Sequence, residues 1–173
     1  MAGVSVAELV RASQQGNRDA FGLLYERFAA YVHAILLARL SPQDAPDLVQ
    51  DIFLSAFQRL RSLREPAAFP GWIATIARNR ATDFFRHPAM AVSDDSADPP
   101  AETAGPDVRL DAAKALDAIR ALPGAYRETL VLRLVEGLTG PEIAALTGLT
   151  PDSVRVNLHR GFKLLRERLG IAT

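Results

Sequence analysis

The chain contains no cysteine. That absence excludes a disulfide framework, a thiolate metal site and a cysteine nucleophile, and it suits a reducing cytoplasm. Net charge is missing as well: 20 basic residues offset 20 acidic ones, which on a uniform surface would argue against a nucleic-acid partner. His33, His87 and His159 are scattered, no metal-ligand spacing occurs, and no glycine-rich phosphate loop is present. An enzyme is therefore not expected, and no catalytic residue, metal or cofactor is assigned. In the first twenty residues Glu8, Arg11, Arg18 and Asp19 interrupt any apolar run long enough for a signal peptide or a membrane span. A soluble, cytoplasmic protein without membrane insertion is the expectation.

The charge is zero only in sum. Residues 1–87 carry ten arginines against eight acids, 88–110 one arginine against five acids, and 111–173 nine basic residues against seven acids. Two mildly basic ends thus flank an acidic middle. That middle, "PAMAVSDDSADPPAETAGPDVR", is poor in large apolar residues and rich in Pro, Ser, Ala and acids, so it cannot build a core and reads as a flexible linker. The expected organisation is a domain over 1–87, a linker over 88–110 and a domain over 111–173.

Outside the linker, apolar residues recur at spacings of three and four and no convincing period-2 stretch occurs, so an all-α fold of two small helical domains is predicted. The first half should hold helices near 5–14, 18–39, 45–60 and 71–86. The second is expected to face the core with Phe21, Leu24, Tyr25, Phe28, Val32 and Ile35. In the third, "APDLVQDIFLSAFQRL", Asp44, an early proline and Asp47 suit a helix start. Val49, Ile52, Phe53, Ala56 and Leu60 would face inward, leaving Asp47, Gln50, Asp51, Leu54 and Gln58 outside.

The second half has sharper punctuation. "LDAAKALDAIRAL" stops at Pro123 and "AYRETLVLRLVEG" at Gly137. In "LTGPEIAALTGL", Thr139 and Glu142 have capping-box spacing and Gly148 can close the helix in the left-handed conformation. Thr150 and Pro151 then start "LTPDSVRVNLHRGFKLLRERL". Two helices joined by a three-residue turn opening on glycine describe a helix-turn-helix, and Ala144 is small enough to let them approach.

At about 100° per residue, Val154, Leu158, Gly161, Phe162, Leu165 and Leu169 of the last helix share one side. Ser153, Val156, Arg160 and Lys163 lie opposite, flanked by Arg155 and His159. Such a face can meet phosphates and base edges in a major groove, Val156 being suited to a thymine methyl. In "FPGWIATIARNRATDFFR" arginines alternate with aromatics as on a surface for unstacked bases. Trp72, Ile73, Ile76 and Phe84 nevertheless fit a core stripe, leaving Arg78, Asn79, Thr82 and Arg86 as the contact set.

In order and spacing, "DLVQDIFLSAFQRL", "FPGWIATIARNRATDFFR" and "LTGPEIAALTGLTPDSVRVNLHRGFKLLRERL" resemble regions two and four of bacterial RNA polymerase sigma factors of the extracytoplasmic-function group. Phe57 departs from the pattern, standing where many relatives have tryptophan, and so does "RGFK", where a small residue followed by a basic one is commoner. Gly161 there costs about 1 kcal/mol relative to alanine within a helix, and either permits close packing or softens the helix.

The resemblance implies a transcription initiation factor that binds core RNA polymerase and directs it to promoters. Asp47, Gln50, Asp51 and Leu54 would dock on the polymerase clamp. The loop "RSLREPAAF" and the helix after it would capture the minus-ten strand through Arg61, Arg64, Arg78, Asn79, Arg80, Thr82 and Arg86. Ser153, Arg155, Val156, Asn157, His159, Arg160 and Lys163 would read the minus-thirty-five element as duplex. An anti-sigma factor is the further partner implied, and the free protein is expected to be monomeric. The alternative is an ordinary helix-turn-helix regulator that binds duplex operator and has no polymerase-docking surface.

Overall fold

The computed structural model describes residues 3–86 and 106–171, with backbone alone for 106–110. The expected flexible linker lies largely outside these residues. Eight α-helices follow in order: α1 (Val6–Gln14), α2 (Arg18–Leu37), α3 (Ala45–Arg59), α4 (Phe69–Arg86), α5 (Pro106–Arg120), α6 (Gly124–Leu134), α7 (Gly140–Thr147) and α8 (Pro151–Leu169). No strand occurs among the described residues.

The first four helices bundle around α2, which packs on α1, α3 and α4. This helix is long and apolar enough to pass for a membrane span by length and composition, yet half of its most apolar stretch is buried here inside protein. Leu24, Phe28, Val32 and Ile35 are buried as the periodicity predicts, together with Tyr31, which it missed. Tyr25 is 38% exposed and packs edge-on against Phe53 at the rim, with ring centroids 4.7 Å apart. In α3, Val49, Ile52, Phe53 and Ala56 are buried, as is Leu60 beyond its end.

Three boundaries differ from the sequence reading. Asp44 precedes α3 in helical rather than extended conformation and makes no side-chain capping bond, so Pro46 and Asp47 carry the start without it. The loop before α4 is wound into two 3₁₀ turns, Leu60–Ser62 and Pro66–Ala68, the second leading directly into α4 at Phe69. And α5 begins at Pro106, inside the stretch read as linker to residue 110. Scarcity of large apolar residues hid this start, because the pattern there has no apolar period to detect, although Pro106 stands at the first helical position as Pro151 does in α8.

Helices α5 to α8 form the second unit. Its local signals hold: Thr139 caps α7 in a complete capping box with Glu142, Gly148 closes it at φ 76°, and Thr150 caps α8 by accepting a bond from the Ser153 amide. At Gly161 a Cβ would lie 3.0 Å from Leu130 Cδ1, so this glycine serves close approach of α8 to α6. Leu169, placed on the inward stripe from sequence, is 38% exposed at the end of α8.

The two units are not apart. Helix α6 lies against α2, and α7 meets both α2 and α4, so the buried apolar cluster runs continuously from one unit into the other.

Candidate nucleic-acid and polymerase interface

The outward face of α3 presents Asp47, Gln50, Asp51 and Leu54, all exposed, Leu54 by 59%. An exposed leucine beside two carboxylates and an amide offers a protein partner an apolar anchor and acceptors for its cations. Between α3 and α4 runs an open groove of about 580 Å³ lined on one side by Asp51, Leu54, Ser55 and Gln58 and on the other by Trp72, Thr75, Asn79 and Arg80. Arg80 Nη2 stands 3.6 Å from Asp51 Oδ2 across it. One residue expected to meet polymerase and one expected to meet DNA thus already touch.

Arg61 and Arg64 are exposed on the wound loop. The loop is held from α1: Gln14 Nε2 donates to the carbonyls of Leu60 at 3.0 Å and Leu63 at 2.8 Å. Thr82 and Arg86 are exposed at the end of α4, although the Thr82 hydroxyl already donates to the Arg78 carbonyl at 3.0 Å. Trp72 packs beside Phe69 with centroids 5.9 Å apart and belongs to the core margin, as the stripe implied.

Arg78 is placed differently from the other members of its set. Its Nε and Nη2 donate to the two carboxylate oxygens of Glu128 in α6, at 3.0 and 2.8 Å. Arg39, just beyond α2, sets Nη1 2.8 Å from the same carboxylate. Burial pushes the Glu128 carboxyl upward, but its bonds and charge interactions with Arg78 and Arg39 outweigh this and hold it below its ordinary value. The bond to Glu128 likewise raises Arg78. Burial raises the phenol of Tyr31, which lies against the same guanidinium. Close by, His33 Nδ1 and Glu136 Oε1 are 2.8 Å apart, and Arg120 Nε donates to the Leu37 carbonyl at 3.1 Å.

On α8, Ser153, Arg155, Val156, His159, Arg160 and Lys163 are exposed and Asn157 half-buried, while Val154, Gly161 and Leu165 are buried against the rest of the unit. The outward residues therefore form one continuous row, with Arg155 loosely tied to Asp152 at 3.4 Å. Val156 is 36% exposed within this row.

Sequence reasoning missed Gln14, Arg39, Glu128, His33 and Glu136. No local signal marked Glu128 in "GAYRETLVLRL"; only the structure shows its side chain 13% exposed, where a carboxylate requires a cationic partner.

The geometry defines an all-helical, two-unit chain of the helix-turn-helix class with a second polar and cationic surface on a separate helix. The family model for sigma-70 region 2 matches residues 24–89 and that for sigma-70 region 4 matches residues 112–165. The RNA polymerase sigma factor CarQ of Myxococcus xanthus is 40% identical over 166 residues, covering 91% of this chain and 93% of its own length. The extracytoplasmic-function RNA polymerase sigma-E factor of Escherichia coli strain K12 is 29% identical over 167 residues, covering 88% and 87%. Among solved structures, that of CnrH in complex with the cytosolic domain of CnrY matches with a TM-score of 0.62 and 25% identity, over 97% of this chain and 99% of that one. The chain belongs to the extracytoplasmic-function group of the sigma-70 family. It is a transcription initiation factor that binds core RNA polymerase and directs it to promoters, and the regulator alternative is not favoured.

Proposed function

We propose that the two helical units divide promoter recognition between them. The unit over 1–87 docks on the polymerase through Asp47, Gln50, Asp51 and Leu54, and holds the minus-ten strand through Arg61, Arg64, Arg78, Asn79, Arg80, Thr82 and Arg86. Extruding a base costs a few kcal/mol, offset by stacking and phosphate contacts along α4. The unit over 111–173 reads the minus-thirty-five element as duplex through Ser153, Arg155, Val156, Asn157, His159, Arg160 and Lys163, with residues 88–110 between them. The observation that carries this division is the separation of two solvent-facing polar surfaces, the α3–α4 rim and the outward row of α8, on different helical units of one chain.

The protein acts in the cytoplasm as a monomer until it meets polymerase, and an anti-sigma factor holds it inactive. The RpoE of Bartonella quintana, solved in complex with the anti-sigma factor NepR, shares the fold with a TM-score of 0.51 and 24% identity.

The test is assembly with core polymerase on promoter fragments, with duplex binding of the minus-thirty-five element measured separately. Arg160→Ala should weaken the duplex and spare association with core, whereas Asp47→Arg, chosen because it lies outside the Asp51–Arg80 pair, should do the reverse. Equal loss of both properties in both variants would sink the division of labour.

A further inference from the structure

The contact between the two units holds more cation than it neutralises. Glu128 receives the Arg78 fork and shares its carboxylate with Arg39, whose Nη1 also donates to the Ile35 carbonyl at 3.0 Å. Beside this group opens a cleft of about 390 Å³ lined by Arg39, Ala81, Thr82, Phe85 and Arg86 from the first unit and by Arg127 of α6 from the second. Among the described residues Arg86 and Arg127 enter no ion pair. Asp83, the acid nearest Arg86 along α4, lines the groove toward α3 instead. The Thr82 hydroxyl has already given its proton to the Arg78 carbonyl, so the donors left for an incoming group are guanidiniums.

Two further features define what suits such a cleft. Arg127 lies over the first turn of α6, its Nη2 3.6 Å from where a Cβ at Gly124 would stand. That turn contains no acid, and Pro123 before it supplies no side-chain cap. A guanidinium therefore stands at the positive end of a helix dipole, an arrangement that an anion relieves. Phe85, 63% exposed, is set edge to face with half-buried Phe84, ring centroids 6.2 Å apart. An aromatic ring fixed beside guanidiniums combines stacking with phosphate contacts, the pairing that holds a nucleotide. The volume lies at the lower end of the range for small-molecule sites, which suits one nucleotide and not a protein helix or a duplex.

We propose that this cleft binds a free nucleoside polyphosphate, its base on Phe85 and its phosphates between Arg86 and Arg127, with Arg39 adding charge behind them. Neither unit makes the site alone, because Phe85 and Arg86 belong to α4 and Arg127 to α6. The cleft exists only while the two units are closed on each other, and its ligand bridges them without displacing Glu128 from Arg78. Phe85, Arg39 and Arg127 lie outside the residues assigned to polymerase and promoter, so the site stands apart from that reading.

The full chain is titrated calorimetrically with ATP, inorganic pyrophosphate and adenosine, free of divalent cation and at an ionic strength of about 0.15 M, where loose surface pairing is screened. One ATP should bind per chain, about tenfold tighter than pyrophosphate, and adenosine should give no measurable heat. Arg127→Gln and Arg86→Gln should each weaken ATP and pyrophosphate alike by about tenfold, the size of one charge-assisted hydrogen bond. Phe85→Leu should weaken ATP about tenfold and leave pyrophosphate unchanged, since only the base stacks; its exposed position keeps this arm readable even if an arginine variant loses its fold. Arg127→Gln and Phe85→Leu should bind a minus-ten single-stranded oligonucleotide as the parent does. Absence of ATP binding by the parent, or equal loss of ATP and pyrophosphate in Phe85→Leu, would overturn the nucleotide. ATP affinity that falls in Arg86→Gln but not in Arg127→Gln would overturn the bridging of the units. Oligonucleotide affinity falling in step with ATP in both Arg127→Gln and Phe85→Leu would reassign the cleft to the promoter strand.

Discussion

Gly161 brings α8 so close to Leu130 that a methyl group added at residue 161 would meet Leu130 Cγ at 3.1 Å and Cδ1 at 3.0 Å. Leu130 is fully buried and has little room to yield. Alanine would gain about 1 kcal/mol of helix propensity, but overpacking costs about 1–3 kcal/mol. Gly161→Ala is therefore expected to be neutral to destabilising, and Gly161→Val clearly destabilising, by thermal unfolding. Leu130→Val should partly rescue Gly161→Ala, a non-additivity that simple helix softening at residue 161 would not produce.

Gln14 ties the loop of the first unit to α1 by two hydrogen bonds to backbone carbonyls. Gln14→Ala removes both donors, and each lost bond is worth about 0.5–1.5 kcal/mol. The variant should unfold at a lower temperature and be cleaved faster by protease between residues 60 and 68. Arg61 and Arg64 ride on that loop, so strand binding should fall as well. Unaltered cleavage would show that the loop is held by its buried Leu60 and Leu63 instead.

Thr150 positions the start of α8 by accepting a bond from the Ser153 amide at 3.1 Å. Replacing such a cap by alanine costs about 1 kcal/mol. Thr150→Ala should lower stability by about that amount and weaken minus-thirty-five duplex binding, since Ser153, Arg155 and Val156 lie in the first turns. Thr150→Ser, which retains the acceptor, should behave like the parent in both measurements.

Acid should open the chain. Glu128 is held below its ordinary value of 4.5 in the closed state, so it binds fewer protons closed than released. The stabilisation it gives to closure is complete above the ordinary carboxylate range and is lost as pH falls through the lowered value. The groups facing it are Arg78 from α4, Arg39 beyond α2 and, through Arg78, Tyr31 of α2. Separation of the two units, read by energy transfer between dyes at Gln15→Cys and Glu167→Cys, both exposed, should increase on acidification below about pH 4.5. The signal in Glu128→Gln should lack this component, and a parallel increase in that variant would assign the opening to other carboxylates.

What the sequence disclosed and what it hid divide along the range of the interactions. Thr139 with Glu142, Gly148 and Thr150 are legible because a cap involves residues three positions apart, and the buried stripes of α3 and α8 because helical period alone sets them. The candidate polymerase-facing set on α3 follows from the same period. Arg78 and Glu128 are separated by 50 positions, and no local pattern announces which carboxylate an arginine will find. Leu169 misled because periodicity continues to the end of a helix even where no partner helix remains to cover it. Gly161 was readable as an anomaly but not as a contact, since the reason for it lies on α6.

The 19 residues between Arg86 and Pro106 join the two units covalently, so any parting of α6 from α2 is a unimolecular equilibrium. Its position does not depend on how much of the protein is made. Capture of a single strand by the face of α4 that Glu128 covers would depend on concentration and draw only on the open fraction. Raising the abundance of the chain would therefore enlarge the closed reservoir and the open fraction in fixed proportion. A change at Glu128 would alter the apparent affinity for a single strand at every expression level by one constant factor.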